Sequence, residues 1–349
     1  MIAPWLESYW QRLIDLDQRL PHALLFVGPP GLGKRDLVEH LAARLLCDTP
    51  AENGAACGQC AACRWRLSGN HPDLYRVVPA SAQDAEEGDE AAPAAESTAK
   101  AKSSQILIDQ IREIQDALAV TGHHGSRRVV IIDPAEAMNV FTANALLKLL
   151  EEPPAGCSFL LVSSAPRRLL PTIRSRCQQW AVGRPGARLL EQWLAAEGAA
   201  LAPLLTLCGG MPMAAKRLAE QGGAAWRDRF VKDLAAGGFD PLRLAGQWES
   251  WLKSKDALAG GFNLVMLVDW FQRWVSDLAV FKLGGVVRFF PDQTAALSDL
   301  AKRADVAALS NCYNETLQIR RVVTHPLNLR LFLEDMLMRY ARAFKGSRN

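Results

Sequence analysis

The chain has 349 residues, 49% hydrophobic and 22% charged, with a formal net charge of +3. This length predicts two or three domains with folded cores, and so small a net charge does not mark a nucleic-acid binder by bulk electrostatics. No run of about 18 apolar residues occurs, so no transmembrane helix is expected.

The N-terminal stretch "MIAPWLESYWQRL" is amphipathic and carries Glu7. It lacks the basic start and apolar core of a signal peptide, so a cytoplasmic location is expected. The eight cysteines are then expected to be thiols or metal ligands rather than disulfides. "ALLFVG" (23–28) predicts a buried strand running into a glycine-rich turn. "RDLVEHLAARLLC" (35–47) has helical spacing, with Leu37, Leu41 and Leu45 on one face. A cysteine-rich loop follows, then a strand at "DLYRVVPA" (73–80). Residues 81–104 hold six acidic side chains, many alanines and no large apolar group; they cannot bury enough surface to offset ordering entropy and predict a disordered insertion.

Helical periodicity resumes at "ILIDQIREIQDALAV" (106–120). In "RRVVIIDPAEAM" (127–138), four β-branched residues from Val129 to Ile132 predict a strand covered on both faces. "TANALLKLLEEPP" (142–154) reads as a helix stopped by Pro153 and Pro154, and "SFLLVSSA" (158–165) as another strand. This alternation predicts an α/β domain with a parallel sheet. After Gln179 the pattern is nearly all helical, with breaks at "GRPG", "LCGGMP" and "EQGGAA", placing boundaries near residues 181 and 222. Within that part, "NLVMLVDWFQRWVSDLAVF" (263–281) has apolar residues at 264, 267, 268, 271, 274, 275 and 278, with Trp270 near the edge of the face. The basic tail "RYARAFKGSRN" (339–349) reads as a solvated terminus.

Three groups of residues carry chemistry. Gly28 to Lys34 spell G-P-P-G-L-G-K, a phosphate-binding loop. Gly28, Gly31 and Gly33 let backbone N–H groups turn toward phosphate oxygens, and Lys34 and the following helix N-terminus add positive charge. A Ser or Thr hydroxyl should come next to hold Mg²⁺, but Arg35 stands there. Asp133 ends the 129–132 strand where the loop's acidic partner belongs, yet Pro134 replaces the catalytic carboxylate expected after it, and Glu136 lies two positions out of register. Binding of ATP or ADP stays open; turnover is not expected. Second, Cys47, Cys57, Cys60 and Cys63 form C-x9-C-x2-C-x2-C, a spacing that suits a structural tetrahedral Zn²⁺; the bland alternative is reduced thiols without metal. Third, Arg176 sits in "SRC" (175–177), where the plain alternative is a surface arginine.

The phosphate loop, the four-cysteine insert, "ANALLKLLEEPP" (143–154) and "TIRSRCQQW" (172–180), in this order, resemble the bacterial clamp-loader family of AAA+ proteins over most of the first 180 residues. "THPLNLRLFLEDMLMRY" (324–340) is similar to the end of that family's collar. The resemblance implies an AAA+ P-loop domain with its zinc module (about 47–63) over residues 1–181, a helical lid over 182–222 and an all-α collar over 223–349. It implies a ring of five with the gamma/tau and delta subunits that loads the sliding clamp on primed DNA for DNA polymerase III. The clamp would be touched weakly or indirectly, the primer-template through the assembled ring, and no membrane is involved. Arg176 would be the finger that reaches a neighbour's ATP.

Motor subunits of the family carry G-K-T, D-E and a lid arginine. This chain has Gly33-Lys34-Arg35 and Asp133-Pro134, with Pro212 or Met213 at the lid position. These departures imply a non-hydrolysing stator. The alternatives are an active ATPase motor, with Glu136 or another group as base, and a nucleotide kinase with a zinc-bearing lid, which leaves "LLKLLEEPP" and S-R-C unexplained.

Overall fold

The computed structural model describes residues 2–16, 19–83, 103–119, 127–235, 238, 240–323 and 328–344, with 82, 83, 321 and 322 described by backbone alone. Most of the expected insertion, residues 84–102, lies outside the described residues, as do 324–327 and the tail from 345. The chain divides into two compact units, Met1–Leu189 and Leu190–Asn349.

The first unit is built on five parallel strands: β1 (Ala23–Val27), β2 (Leu74–Val77), β3 (Arg128–Ile132), β4 (Cys157–Ser163) and β5 (Gln178–Ala181). Their order is β2-β3-β4-β1-β5, with Leu25 level with Leu161 and Gln179, and Val130 with Phe159. The helices are α1 (Glu7–Leu16), α2 (Lys34–Leu46), α3 (Ala61–Leu67), α4 (Ala80–Gln83), α5 (Ile108–Ala119), α6 (Val140–Glu151) and α7 (Pro171–Arg176). Every residue of β3 is buried, as its unbroken β-branched run requires when helices cover both faces. Leu25, Val130, Ile132, Phe159 and Leu161 share one core cluster with Ile111, Ile114 and Leu118 of α5 and Leu146 and Leu150 of α6. α2 packs against β1, β3 and β4 through buried Leu37, Val38 and Leu41. Burying each such side chain is worth about 1.5–3 kcal/mol.

Because the strands are parallel, the loops at the carboxyl ends of β1, β3 and β4 lie at one end of the sheet, where ligands of open α/β sheets are bound. The short β5 is not legible from apolar alternation: three of its four residues are exposed and only Trp180 is buried.

The second unit is helical. Its centre is the helix Leu264–Lys282, packed by Thr294–Arg303 and Val306–Val322. Trp270, near the edge of the apolar face, is 3% exposed. Its ring meets Phe230 at 5.9 Å and Phe262 at 5.3 Å, so the buried face is wider than one stripe. Phe230 also stacks on Trp248 and Phe290, and the Trp274 indole donates to the Tyr340 hydroxyl at 2.9 Å. Among the described residues no single helix is long and apolar enough to cross a membrane.

Candidate functional site

The glycine-rich loop leaves β1 and enters α2 as its spacing predicts. Gly31 and Gly33 have φ of 81° and 86°, a left-handed conformation that favours glycine. At Gly28 the constraint is space: a Cβ there would lie 2.3 Å from the Val182 carbonyl oxygen. Lys34 opens α2 and is only 4% exposed. Its Nζ donates to the Gly28 carbonyl (2.8 Å), the Pro29 carbonyl (2.7 Å) and the Ser164 hydroxyl (3.1 Å). The Trp5 indole donates to the Leu32 carbonyl at 2.8 Å and fastens the loop from the N-terminal side.

The metal side of this loop is altered. Arg35 Nε lies 3.5 Å from Asp133 Oδ2. Mg²⁺ requires oxygen ligands, whereas arginine offers only donors. A guanidinium therefore lies against the carboxylate that would orient the metal, and the residues present do not fit a magnesium ion. One oxygen of Glu136 is also committed: Oε1 accepts from the backbone N–H of Ser164 (2.9 Å) and Ala165 (3.1 Å), tying the loop after β3 to the loop after β4, while the buried Oε2 makes no hydrogen bond among the described residues. Ser164 and Trp5 were missed in the sequence. Position alone, immediately after a buried strand, could have marked Ser164.

The four cysteines converge at the end of α2 and the start of α3. Their sulfurs all lie within 4.8 Å of one another, and the cluster can hold a metal ion. The Cys47–Cys60, Cys57–Cys63 and Cys47–Cys63 sulfur separations are 3.9, 3.9 and 3.6 Å. Four sulfurs at about 2.3 Å from a tetrahedral zinc would be about 3.8 Å apart, while a disulfide needs about 2.05 Å. Backbone N–H groups point at the sulfurs: Cys57 N–H at Cys47 (3.2 Å), Gln59 and Cys60 N–H at Cys57 (both 3.4 Å), and Cys63 N–H at Cys60 (3.4 Å). The Thr49 side chain, followed by the Gln59 and Cys60 N–H groups, pulls the Cys57 thiol down to about 6. Burial pushes the Cys63 thiol up to about 12; a cation among the sulfurs would counter that by favouring the thiolate.

Arg176 ends α7. Its Nη2 pairs with Glu151 Oε1 at 2.5 Å, with 35% of the arginine side chain exposed, and its Nη1 donates to the Thr172 carbonyl at 3.1 Å. Glu151 belongs to the "LLKLLEEPP" run, so two motifs well separated in sequence meet in one ion pair; no spacing rule predicts that contact. Burial pushes the neighbouring Cys177 thiol up to about 12, which marks it as a packing residue.

A family model described as DNA polymerase III, delta subunit, matches residues 6–184, and a model of that subunit's C-terminal part matches 262–342. The chain is 42% identical over 238 residues to the DNA polymerase III delta-prime subunit of Pseudomonas aeruginosa, covering 67% of this chain and 66% of that protein. It is 33% identical over 255 residues to the delta-prime subunit of Escherichia coli K12, covering 71% and 69%. A tau subunit from Bacillus subtilis is 31% identical over 166 residues, covering 47% of this chain and 25% of that protein. The matched stretch spans about two thirds of the length of these two delta-prime relatives. With a family model over its first half and relatives of this identity, the chain belongs to the delta-prime subunits of the bacterial DNA polymerase III clamp-loader family.

Proposed function

We propose that the chain is a non-hydrolysing stator in a five-membered clamp loader of the cytoplasm. It would stand beside gamma/tau and delta subunits and help load the sliding clamp on primed DNA. In this reading residues 1–181 are the AAA+ domain, 182–222 a lid and 223–349 a collar that holds the ring. Cys47, Cys57, Cys60 and Cys63 hold a structural zinc that closes the loop between α2 and α3.

The observation that carries the proposal is the contrast between two arginines. Arg35 lies against Asp133 in the chain's own phosphate site, while Arg176 stays partly exposed at the end of α7. In trans, a guanidinium stabilises charge developing on a neighbour's γ-phosphate, an effect worth about 10³–10⁵ in rate in other nucleotidases. Before doing so Arg176 would exchange Glu151 for that phosphate. The motor alternative needs Glu136 as base, and the two backbone N–H groups on its Oε1 weigh against it.

Clamp loading reconstituted with and without this chain tests the proposal. Loading should require the chain, while the chain alone should hydrolyse ATP far below about 1 s⁻¹, the low end for phosphoryl-transfer enzymes such as kinases. Turnover at that rate by the isolated chain, abolished by Lys34→Ala, would establish the motor reading instead.

A further inference from the structure

We propose that Arg35 is a built-in cation standing in for magnesium, and that this one side chain keeps magnesium nucleotide out of an otherwise competent phosphate cradle. The proposal rests on the reading of this loop as a silent nucleotide site. It goes further by separating two losses that a silent site usually confounds: loss of metal binding and loss of turnover.

In working phosphate loops, the residue after the lysine gives a hydroxyl to Mg²⁺, and an acidic residue at the end of a neighbouring strand completes the metal site. Those two positions are 35 and 133 here, and they touch, with Arg35 Nε 3.5 Å from Asp133 Oδ2. The guanidinium supplies the positive charge that Asp133 would otherwise draw from a metal. It also presents N–H donors where the ion needs lone pairs. A second cation at that place would meet like charge and lack a ligand.

The rest of the cradle is retained. Gly28 makes the close backbone approach to Val182, and Gly31 and Gly33 keep their left-handed turns. Lys34 is held by two loop carbonyls and the Ser164 hydroxyl, neutral acceptors that a charged phosphate can outcompete. The loss of turnover lies elsewhere, at Pro134 and at Glu136, whose Oε1 is held by Ser164 and Ala165. Restoring a hydroxyl at position 35 should therefore restore metal-dependent binding without restoring hydrolysis.

The test is ATP binding to the full chain by calorimetry, with magnesium and with a chelator in its place. Wild type and Arg35→Lys should show no magnesium dependence. Arg35→Thr should bind ATP more tightly with magnesium by about tenfold or more, a gain of at least about 1.4 kcal/mol, and Lys34→Ala in that background should abolish it. Arg35 is 45% exposed, so the threonine should be tolerated, and circular dichroism checks the fold. An Arg35→Thr chain with no magnesium dependence overturns the proposal, as does a wild-type chain that already prefers magnesium-ATP. Hydrolysis measured in parallel reports separately on the stator reading: turnover near about 1 s⁻¹ by wild type would overturn that reading whatever the binding ratio.

Discussion

Chain purified without chelator should carry one zinc ion, and Cys60→Ser should lose it while the sheet stays folded. Cys60 has two roles in the structure. Its sulfur belongs to the four-thiol cluster, and it caps α3 by accepting from the Cys63 N–H at 3.4 Å. Serine is among the best residues at such a cap, so the substitution removes a metal ligand and leaves the helix start intact. The fall in zinc affinity should exceed the about 10–100-fold typical of removing a supporting hydrogen bond. Damage should stay in the loop between α2 and α3, because none of the four cysteines belongs to a strand. Elemental analysis and circular dichroism check both parts. Zinc near zero in the unmodified chain would leave four packed thiols and no metal module.

Asp277→Ala should strongly destabilise the helical unit. Asp277 is 1% exposed, and its carboxylate accepts three backbone N–H groups, from Arg288 (3.0 Å), Phe289 (2.8 Å) and Phe290 (2.7 Å). Bonds to a charged group contribute about 1.5–3 kcal/mol each, and orphaned buried donors add a desolvation cost. A loss of at least about 3 kcal/mol is expected. At about 2–4 °C per kcal/mol for a unit of this size, its melting midpoint should fall by roughly 6–12 °C. Asn should lose less than Ala because its amide oxygen still accepts. A thermal melt of the full chain reads the effect, and a shift within about 2 °C would mean the 288–290 turn is held by its aromatic packing alone.

The sequence was most informative where chemistry is local. The phosphate loop, the cysteine spacing and the apolar strands β1, β3 and β4 are written in contiguous residues, and the structure forms each of them in place. Contacts across long separations were only partly legible: Asp133 was expected beside the phosphate loop, but its ion pair with Arg35 was not. Arg35 with Asp133 and Arg176 with Glu151 join residues 98 and 25 positions apart, and only the strand order brings the first pair to one end of the sheet. β5 was missed because its exposed residues lack a strand's apolar pattern. Trp270 is buried at the edge of its apolar face because the helix is packed by neighbours on several sides.

The central claim is that this chain acts on a neighbour's nucleotide and not on its own. The direct measurement is the DNA- and clamp-stimulated ATPase of the assembled loader, with Lys34→Ala and Arg176→Ala introduced separately into this chain and ring assembly checked by sizing. Lys34→Ala should leave the rate unchanged, because on the proposed reading the site it belongs to does not turn over. Arg176→Ala should lower the rate without abolishing it: on the proposed reading one site would lose a finger worth about 10³–10⁵, while the motor subunits would supply similar arginines at the others. An assembled ring that keeps its full rate with Arg176→Ala, or loses as much with Lys34→Ala, would contradict the claim.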